Sequence, residues 1–261
     1  MKPFHSRILT GSLVSLLAAG ALLAQPSAGL RAAGGPGRGA GWTAWLHGTV
    51  TGAPFSATET RQSQRTLANG SQIQNQQQSS LYRDSQGRVR IDTTITPPAT
   101  ASGGSTPRTM STIYDPVAGF VYRLNPAKMT AVKSAIPQRP SPTSGTPPAR
   151  TPRAGVQVQT QSLGTSTVNG VTATGTQVTT TIAAGTFGNT AAIQAVRVTW
   201  VSTALQIPVQ ITVSDPRSGN STMNVTNIVQ ASPNESLFQV PSGYTVTTAS
   251  ARSNRAMRMR R

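Results

Sequence analysis

The most regular feature of this sequence is the alternation of apolar and polar residues along short segments. Between Val89 and Ile95, apolar residues and threonine alternate with charged or polar residues. The same period returns between Val209 and Val213. Because successive side chains of a β-strand point to opposite faces, this pattern predicts half-buried strands. Roughly ten such segments follow one another at short spacing, which predicts a mainly β protein built on an antiparallel sheet.

Turn residues between these segments indicate hairpins. Asp84 and Gly87 begin and end the turn before Val89, in the positions that type I turns prefer. Asn169 and Gly170 separate two segments rich in valine and threonine, and Asn-Gly is the strongest short hairpin signal. These turns predict antiparallel pairing of the strands on either side.

Helix signals are scarce. One helical turn is expected in Pro233–Phe238 and a short helix in Asn189–Gln194. The glutamine-rich stretch Gln72–Gln78 is compatible with a strand or with a loop, and the first strand is expected at Thr43–Val50. The fold is therefore expected to be a sheet with few short helices.

Residues 1–28 have the three parts of a secretory signal peptide. Lys2 and Arg7 form a positive start, an apolar stretch runs from Ile8 to Ala24, and small residues follow. The apolar stretch lies near the lower length limit of a membrane-spanning helix, so a retained membrane anchor is the alternative. We expect cleavage and export, which would place the mature chain in the periplasm or outside the cell.

Composition divides the rest of the chain into one domain and several polar segments. Residues 29–42 are rich in glycine and are expected to form a flexible leader. Residues 43–246 are expected to form a single β-rich domain, which the proline-rich segment 135–153 interrupts as an exposed loop. Residues 247–261 have no apolar periodicity and are expected to form a disordered basic tail.

The charge of the chain is strongly positive, with 23 lysines and arginines, 6 acids and a net charge of +17. The tail contributes Arg252, Arg255, Arg258, Arg260 and Arg261. Attraction to a polyanion, such as an anionic membrane surface, is the functional interpretation, and compositional bias toward arginine is the alternative. Nucleic acid is not an expected partner, because export separates the chain from it and no basic strand carries base-stacking aromatic residues.

Residues that perform chemistry are few. The sequence has no cysteine, and His47 is the one histidine outside the signal. The acids are scattered singly: Glu59, Asp84, Asp92, Asp115, Asp215 and Glu235. Glu59 and Asp92 are expected to pair with a cross-strand arginine such as Arg61 or Arg90. Catalysis needs a base beside a nucleophile, and a metal site needs clustered donors. We therefore expect no catalytic residue, no metal and no cofactor, and predict that the protein is not an enzyme.

Two longer motifs resemble segments of known exported proteins. Tyr82–Arg90 (YRDSQGRVR) resembles the R-D-x-x-G-R-x-R hairpin of secreted bacterial proteins of unknown function. Ser236–Val246 (SLFQVPSGYTV) is similar to the LF-x-x-P-x-G-Y ending of periplasmic lipoprotein-carrier-like proteins of the LolA, LolB and RseB type. Shorter matches between these motifs extend the resemblance over residues 43–246.

The resemblance implies a strongly curved antiparallel sheet, or unclosed β-barrel, whose apolar concave face holds acyl chains under helical lids. This sequence departs from that family in its scarcity of helices and in its extra proline-rich loop. We expect a non-catalytic exported binding protein that holds a lipid, a lipoprotein or another apolar ligand on the concave face.

The candidate ligand-lining residues are Trp45, Leu46, Phe55, Tyr82, Phe120, Tyr122, Val198 and Trp200. A closed core made of the same residues, without a cavity, is the competing interpretation. The alternative function is that of a structural or interaction protein of the cell envelope, which would use its surface and its basic tail on anionic envelope components.

Overall fold

The computed structural model describes residues 49–95, 107–136 and 153–249, and the structural statements below concern these residues. Thr247 and Thr248, at the start of the predicted basic tail, are strand residues. The predicted signal, the leader and residues 250–261 of the tail lie outside the described residues. So do residues 43–48 of the predicted first strand and residues 137–152 of the proline-rich loop.

The described residues form twelve β-strands and two short 3₁₀ helices. The strands are β1 (Phe55–Thr66), β2 (Gln72–Arg83), β3 (Val89–Ile95), β4 (Arg108–Asp115), β5 (Phe120–Asn125), β6 (Thr130–Ala135), β7 (Val156–Val168), β8 (Val171–Ile182), β9 (Ile193–Ser202), β10 (Pro208–Asp215), β11 (Gly219–Val229) and β12 (Thr245–Thr248). The 3₁₀ helices are Pro126–Lys128 and Glu235–Phe238. The predicted helical turn near Phe238 is therefore confirmed.

All twelve strands belong to one sheet, in the order β12-β6-β5-β4-β3-β2-β1-β11-β10-β9-β8-β7. Neighbouring strands are antiparallel except β12 and β6, which run parallel. Strands β7 and β12 are the two edges, so the sheet does not close into a barrel. The residues of β7 are all exposed or half-buried. The predicted mainly β, antiparallel and unclosed architecture is confirmed.

The sheet has two faces that carry different side chains. Directly paired residues of neighbouring strands point to the same face. Phe55 of β1 lies opposite Arg83 of β2, and Ser56 lies opposite Tyr82. We call the two sides the Phe55 face and the Tyr82 face, and the register of each further strand assigns its residues to one of them.

The larger hydrophobic core contains residues from the Phe55 face. Phe55, Leu81 and Val225 are 2%, 1% and 0% exposed and belong to this cluster. Leu205 and Ile207, from the connection between β9 and β10, complete it. The connection thus covers apolar side chains that the strands alone would leave in contact with water.

Arg83 is buried beside this core and is 4% exposed. Its Nε and Nη2 atoms donate to the carbonyl oxygen of Ala53 at 2.9 and 2.7 Å, and Nη2 also donates to the carbonyl oxygen of Leu205 at 2.8 Å. The guanidinium carbon lies 4.9 Å from the centroid of the Phe55 ring. Burial lowers the pKa of Arg83 to about 10. The side chain therefore joins the segment before β1, the end of β2 and the β9–β10 connection.

A smaller core lies on the Tyr82 face near β12. Its buried members are Ile113, Leu124 and Ala131. The partly buried residues that pack against it are Tyr122, Val240 and Tyr244. The chain after the second 3₁₀ helix therefore covers this end of the sheet.

The two motifs that carry the family resemblance contact each other. The guanidinium carbon of Arg88 lies 5.4 Å from the centroid of the Phe238 ring. Arg90 Nη1 donates to the carbonyl oxygen of Leu237 at 3.0 Å. Asp84 Oδ1 accepts from the backbone N–H of Arg88 at 2.8 Å within the β2–β3 turn. The hairpin arginines thus hold the C-terminal motif against the sheet.

The short helix predicted at Asn189–Gln194 is wrong. Residues 189–192 form a loop, and Ile193 and Gln194 are the first two residues of β9. The Asn189 side chain accepts from the backbone N–H of Phe187 at 3.0 Å and donates to the carbonyl oxygens of Ala183 and Ala191 at 2.9 and 2.7 Å. An asparagine side chain that satisfies backbone groups in this way competes with helix formation.

Two strand predictions are resolved by pairing. The ambiguous stretch Gln72–Gln78 belongs to β2, where its residues pair with β1 from Thr66 back to Thr60. Thr49 and Val50, the described end of the predicted first strand, are not strand residues. Pairing with β1 thus makes the glutamine-rich stretch part of a strand, which its composition alone does not predict.

Glu59 and Asp92 contact the predicted arginines, but along one strand and not across two strands. Arg61 Nε donates to Glu59. Arg90 Nε donates to both carboxylate oxygens of Asp92, at 2.8 and 3.0 Å. Residues i and i+2 of a strand share a face, so a long arginine side chain can reach its partner along the strand.

Asp215 gives the β10–β11 turn an acid-sensitive link. It is 2% exposed and accepts from the backbone N–H, Nε and Nη2 of Arg217 at 2.9, 3.0 and 2.7 Å. The side-chain hydrogen bond from Arg217 holds the pKa of Asp215 below its ordinary value of 3.8. A carboxyl whose pKa is lower in the folded state stabilises the fold above its unfolded pKa, and this contribution is lost as the pH falls through the folded value.

Asp215→Asn is therefore expected to lower the free energy of unfolding near neutral pH. It is also expected to flatten the loss of stability between about pH 5 and pH 2, because the amide does not titrate. Urea unfolding midpoints of both proteins across this range measure the effect. Parallel pH profiles for the two proteins would contradict the prediction.

Candidate functional site

The predicted lining residues do not share one face of the sheet. Phe55 lies on the Phe55 face and is 2% exposed. The other described members lie on the Tyr82 face: Tyr82, Phe120, Tyr122, Val198 and Trp200. Trp45 and Leu46 lie outside the described residues. By register Phe55 faces away from Tyr82, Phe120 and Tyr122, whereas Trp200 packs against the same core cluster as Phe55.

Several aromatic residues of the Tyr82 face already pack within the sheet. The ring centroids of Phe120 and Tyr122 are 6.4 Å apart, and Lys133 Nζ lies 3.7 and 5.8 Å from them. The Trp200 ring lies against Gly175, where a Cβ atom would be 2.7 Å from two ring carbons. Tyr122 also packs against the smaller core, and Trp200 packs against the larger one.

The outer part of the Phe55 face combines exposed apolar residues with arginines. Ile95 of β3 lies opposite Arg108 of β4, and Val132 of β6 lies opposite Arg123 of β5. Met110, two residues after Arg108, lies diagonally to both Ile95 and Arg123. Ile95, Met110 and Val132 are 44%, 51% and 38% exposed, and both arginines are exposed. We call these five residues the Arg108 patch.

The carboxylates of the chain do not neutralise this patch. All 6 acids fall within the described residues. Four of them pair with a nearby arginine: Glu59 with Arg61, Asp84 with Arg88, Asp92 with Arg90, and Asp215 with Arg217. Asp115 accepts from backbone N–H groups of its own turn, and Glu235 lies in the first turn of a 3₁₀ helix. Within the described ranges, Arg108 and Arg123 therefore form no ion pair.

The Tyr82 face carries a polar hollow of about 480 Å³ over β2 and β3. Its lining residues are Gln76, Gln78, Ser79, Ser80, Asp92 and Thr94. Amide, hydroxyl and carboxylate groups surround this space, and no apolar side chain lines it. The hollow therefore offers several hydrogen-bonding side chains to a ligand.

Among the described residues, no cluster of three or more His, Cys, Asp or Glu side chains could hold a metal ion. Over the same part of the chain, no helix is long and apolar enough to cross a membrane. His47 and the tail residues Arg252, Arg255, Arg258, Arg260 and Arg261 lie outside the described residues. The absence of catalysis and the membrane role of the tail stay predictions.

The described residues thus form a single open and mainly antiparallel sheet. One face carries the cationic and apolar Arg108 patch, and the other carries the polar hollow. No family model matches the sequence, and no curated protein matches it.

Solved structures of similar fold include an uncharacterized conserved protein from Thermus thermophilus. It has 13% sequence identity and a TM-score of 0.39, over 76% of this chain and 91% of that one. A chain in the MucA/MucB complex from Pseudomonas aeruginosa has 14% identity and a TM-score of 0.38, over 80% of this chain and 62% of that one. This chain therefore spans less than two thirds of that protein.

A LolA superfamily protein from Nitrosomonas europaea is also similar in fold. It has 9% identity and a TM-score of 0.30, over 72% of this chain and 90% of that one. A LolA superfamily member is thus among the solved structures to which this chain is similar.

Proposed function

We propose that this chain is a non-catalytic binding protein of the cell envelope that takes an amphiphilic ligand of negative charge, such as a lipid with an anionic headgroup. The observation that carries the proposal is the Arg108 patch, where exposed apolar side chains lie beside arginines without a described carboxylate partner. The predicted signal peptide supplies the route to the envelope.

The patch matches both parts of such a ligand. A guanidinium group binds phosphate or carboxylate oxygens through two parallel hydrogen bonds, which an ammonium group cannot do. Ile95, Met110 and Val132 are 44%, 51% and 38% exposed, so an acyl chain laid across them would remove apolar surface from water. A purely polar anion would use the arginines alone, whereas an amphiphile uses the whole patch.

The expected affinity is modest. Covering the three half-exposed apolar side chains contributes roughly 1 kcal/mol each. Each arginine near an anionic surface adds about 1 kcal/mol. A sum of roughly 5 kcal/mol corresponds to a dissociation constant on the order of 0.1 to 1 mM. The patch by itself therefore gives weak, reversible binding that added salt weakens further.

The double variant R108Q/R123Q is expected to bind anionic vesicles about thirtyfold more weakly than the wild type, because two cations are removed. The probe is a phosphatidylglycerol vesicle, with a phosphatidylcholine vesicle as the neutral reference, and binding is measured by co-sedimentation. K128Q/R153Q is the matched control, since it removes the same number of charges at exposed positions outside the patch.

Equal losses in the patch variant and in its control would contradict the proposal, because binding would then follow net charge alone. The assay is run on the full chain and on a chain without residues 251–261. If deletion of the tail abolishes binding while the patch is intact, the alternative function as an envelope interaction protein is favoured.

Mass spectrometry of lipid that co-purifies with the exported protein tests the proposed binding of an anionic amphiphile independently.

A further inference from the structure

The polar hollow lies in the middle of the sheet and on the face opposite the Arg108 patch. Gln76, Gln78 and Ser80 come from alternate positions of β2, and Asp92 and Thr94 come from β3. Register places Ser80 opposite Asp92 and Gln78 opposite Thr94. All five side chains therefore stand on the Tyr82 face, within two neighbouring strands.

Much of the hydrogen-bonding capacity of the hollow is unused. The side chains of Gln76, Gln78 and Ser80 form no hydrogen bond with another residue in the described ranges. Each glutamine amide offers two N–H donors and an acceptor oxygen, and a serine hydroxyl offers both roles. The hollow thus presents donors and acceptors together, in open positions on one strand.

The charge of the hollow is already balanced. Both oxygens of Asp92 accept from Arg90 Nε, at 2.8 and 3.0 Å. Thr94 lies 3.3 Å from the hydroxyl of Thr109 on the next strand. A free anion would meet a carboxylate here, and a metal ion would find one carboxylate that is already paired. The polar groups of the hollow that form no hydrogen bond in the described ranges are therefore neutral amides and a hydroxyl.

The polar surface of the hollow continues from β2 onto the neighbouring strand β1. Gln62 lies opposite Gln76, Thr60 opposite Gln78, and Thr58 opposite Ser80. An apolar ligand in this place would cover amide and hydroxyl groups without giving them partners, which is unfavourable. A ligand with many hydroxyl groups would give partners to all of them.

We propose that this hollow binds a neutral carbohydrate chain. Sugar hydroxyls are donors and acceptors at once, and so match the amides of Gln76 and Gln78 and the hydroxyl of Ser80. The volume of about 480 Å³ falls within the range of small-ligand sites. The hollow lies on the face opposite the Arg108 patch, so this site is distinct from the one proposed for an anionic amphiphile.

The test titrates the full chain, labelled with ¹⁵N, with two neutral oligosaccharides, chitohexaose and maltohexaose. Chemical shifts of the glutamine side-chain amides are followed in heteronuclear NMR spectra. At least one oligosaccharide is expected to shift the amides of Gln76 and Gln78. The double variant Q76A/Q78A is expected to bind it about tenfold more weakly, because hydrogen bonds from two amides are lost.

Gln77→Ala is the matched control, because Gln77 lies between these positions on the same strand and points to the opposite face. It is expected to bind the oligosaccharide as the wild type does. Absence of shifts with both oligosaccharides would overturn the proposal, and so would equal weakening in Q77A. R108Q/R123Q is expected to keep oligosaccharide binding, so failure of the amphiphile proposal and failure of this one are distinguishable.

Discussion

A single methyl group at Gly219 is expected to destabilise the sheet by about 4 kcal/mol. Gly219 begins β11 and has a φ of +89°. A Cβ atom on this residue would lie 2.1 Å from the backbone oxygen of Gln64 and 3.0 Å from the Cα of Arg65. These are backbone atoms of β1, which cannot rotate away as a flexible side chain could. Gly219→Ala must therefore push β1 away from β11 or break their pairing.

The position of this contact in the sheet makes the effect large. Strands β1 and β11 are neighbours in the middle of the strand order, with β2 to β6 and β12 on one side and β7 to β10 on the other. A separation there exposes the larger core, which both strands help to form. The free energy of unfolding of Gly219→Ala, from guanidinium chloride titration, measures the loss.

Gly70→Ala is the matched control for this prediction. Gly70 also has a positive φ, +81°, but an added Cβ atom would have no neighbour within 4 Å. Only the strain of a left-handed backbone remains there, which costs about 1 to 2 kcal/mol. Equal losses in the free energy of unfolding for both alanine variants would show that the close approach of Gly219 to β1 does not contribute to the effect.

Arg83→Met is expected to lower the free energy of unfolding by about 3 kcal/mol. Methionine keeps an apolar stem beside Phe55 but removes the hydrogen bonds to the carbonyl oxygens of Ala53 and Leu205. Carbonyl groups that are buried without a partner are costly, and this loss opposes the gain from no longer burying a cation. Because the lost bonds connect three segments, we expect the loss to exceed the gain.

Arg65→Met on β1 is the control for Arg83, since Arg65 is exposed. Its stability is expected to stay within about 0.5 kcal/mol of the wild type. Chemical denaturation of the two variants under identical conditions makes the comparison. An unchanged or raised stability of Arg83→Met would show that the buried cation costs more than its hydrogen bonds contribute.

Strands and hairpins could be predicted from the sequence because their signals are local. The alternation over Val89–Ile95 corresponds to β3, and the Asp84 turn joins it to β2. The Asn169-Gly170 pair likewise separates β7 from β8. Each of these features is encoded within a few neighbouring residues, so no knowledge of distant pairing is needed.

The faces of the sheet could not be predicted in the same way. Whether Phe55 and Tyr82 share a face depends on the register between β1 and β2, and a shift of one residue would reverse the answer. The parallel pairing of β12 with β6 also joins distant segments, with Thr245 opposite Thr130, and has no local signal. Both features arise from tertiary structure.

The Arg108 patch could not be predicted for a related reason. Sequence reasoning chose aromatic residues as ligand lining because they bury the most apolar area. In the structure Tyr122 and Trp200 pack against the two cores, and Phe120 lies beside Lys133. The exposed apolar residues of the Arg108 patch are instead aliphatic: Ile95, Met110 and Val132. A pattern of arginine and aliphatic residues at alternate positions becomes visible as a patch only once the strands are aligned.

The free edge at β7 has a consequence for how this protein is handled. Strand β7 runs over Val156–Val168 without a charged residue or a proline, which are the usual means of discouraging edge-to-edge association. Mutual repulsion between chains of net charge +17 is then the main barrier to such association. Salt screens this repulsion beyond about 8 Å at physiological ionic strength. Concentrated stocks in high-salt buffer therefore favour aggregation, and dilute stocks at low ionic strength favour the monomer.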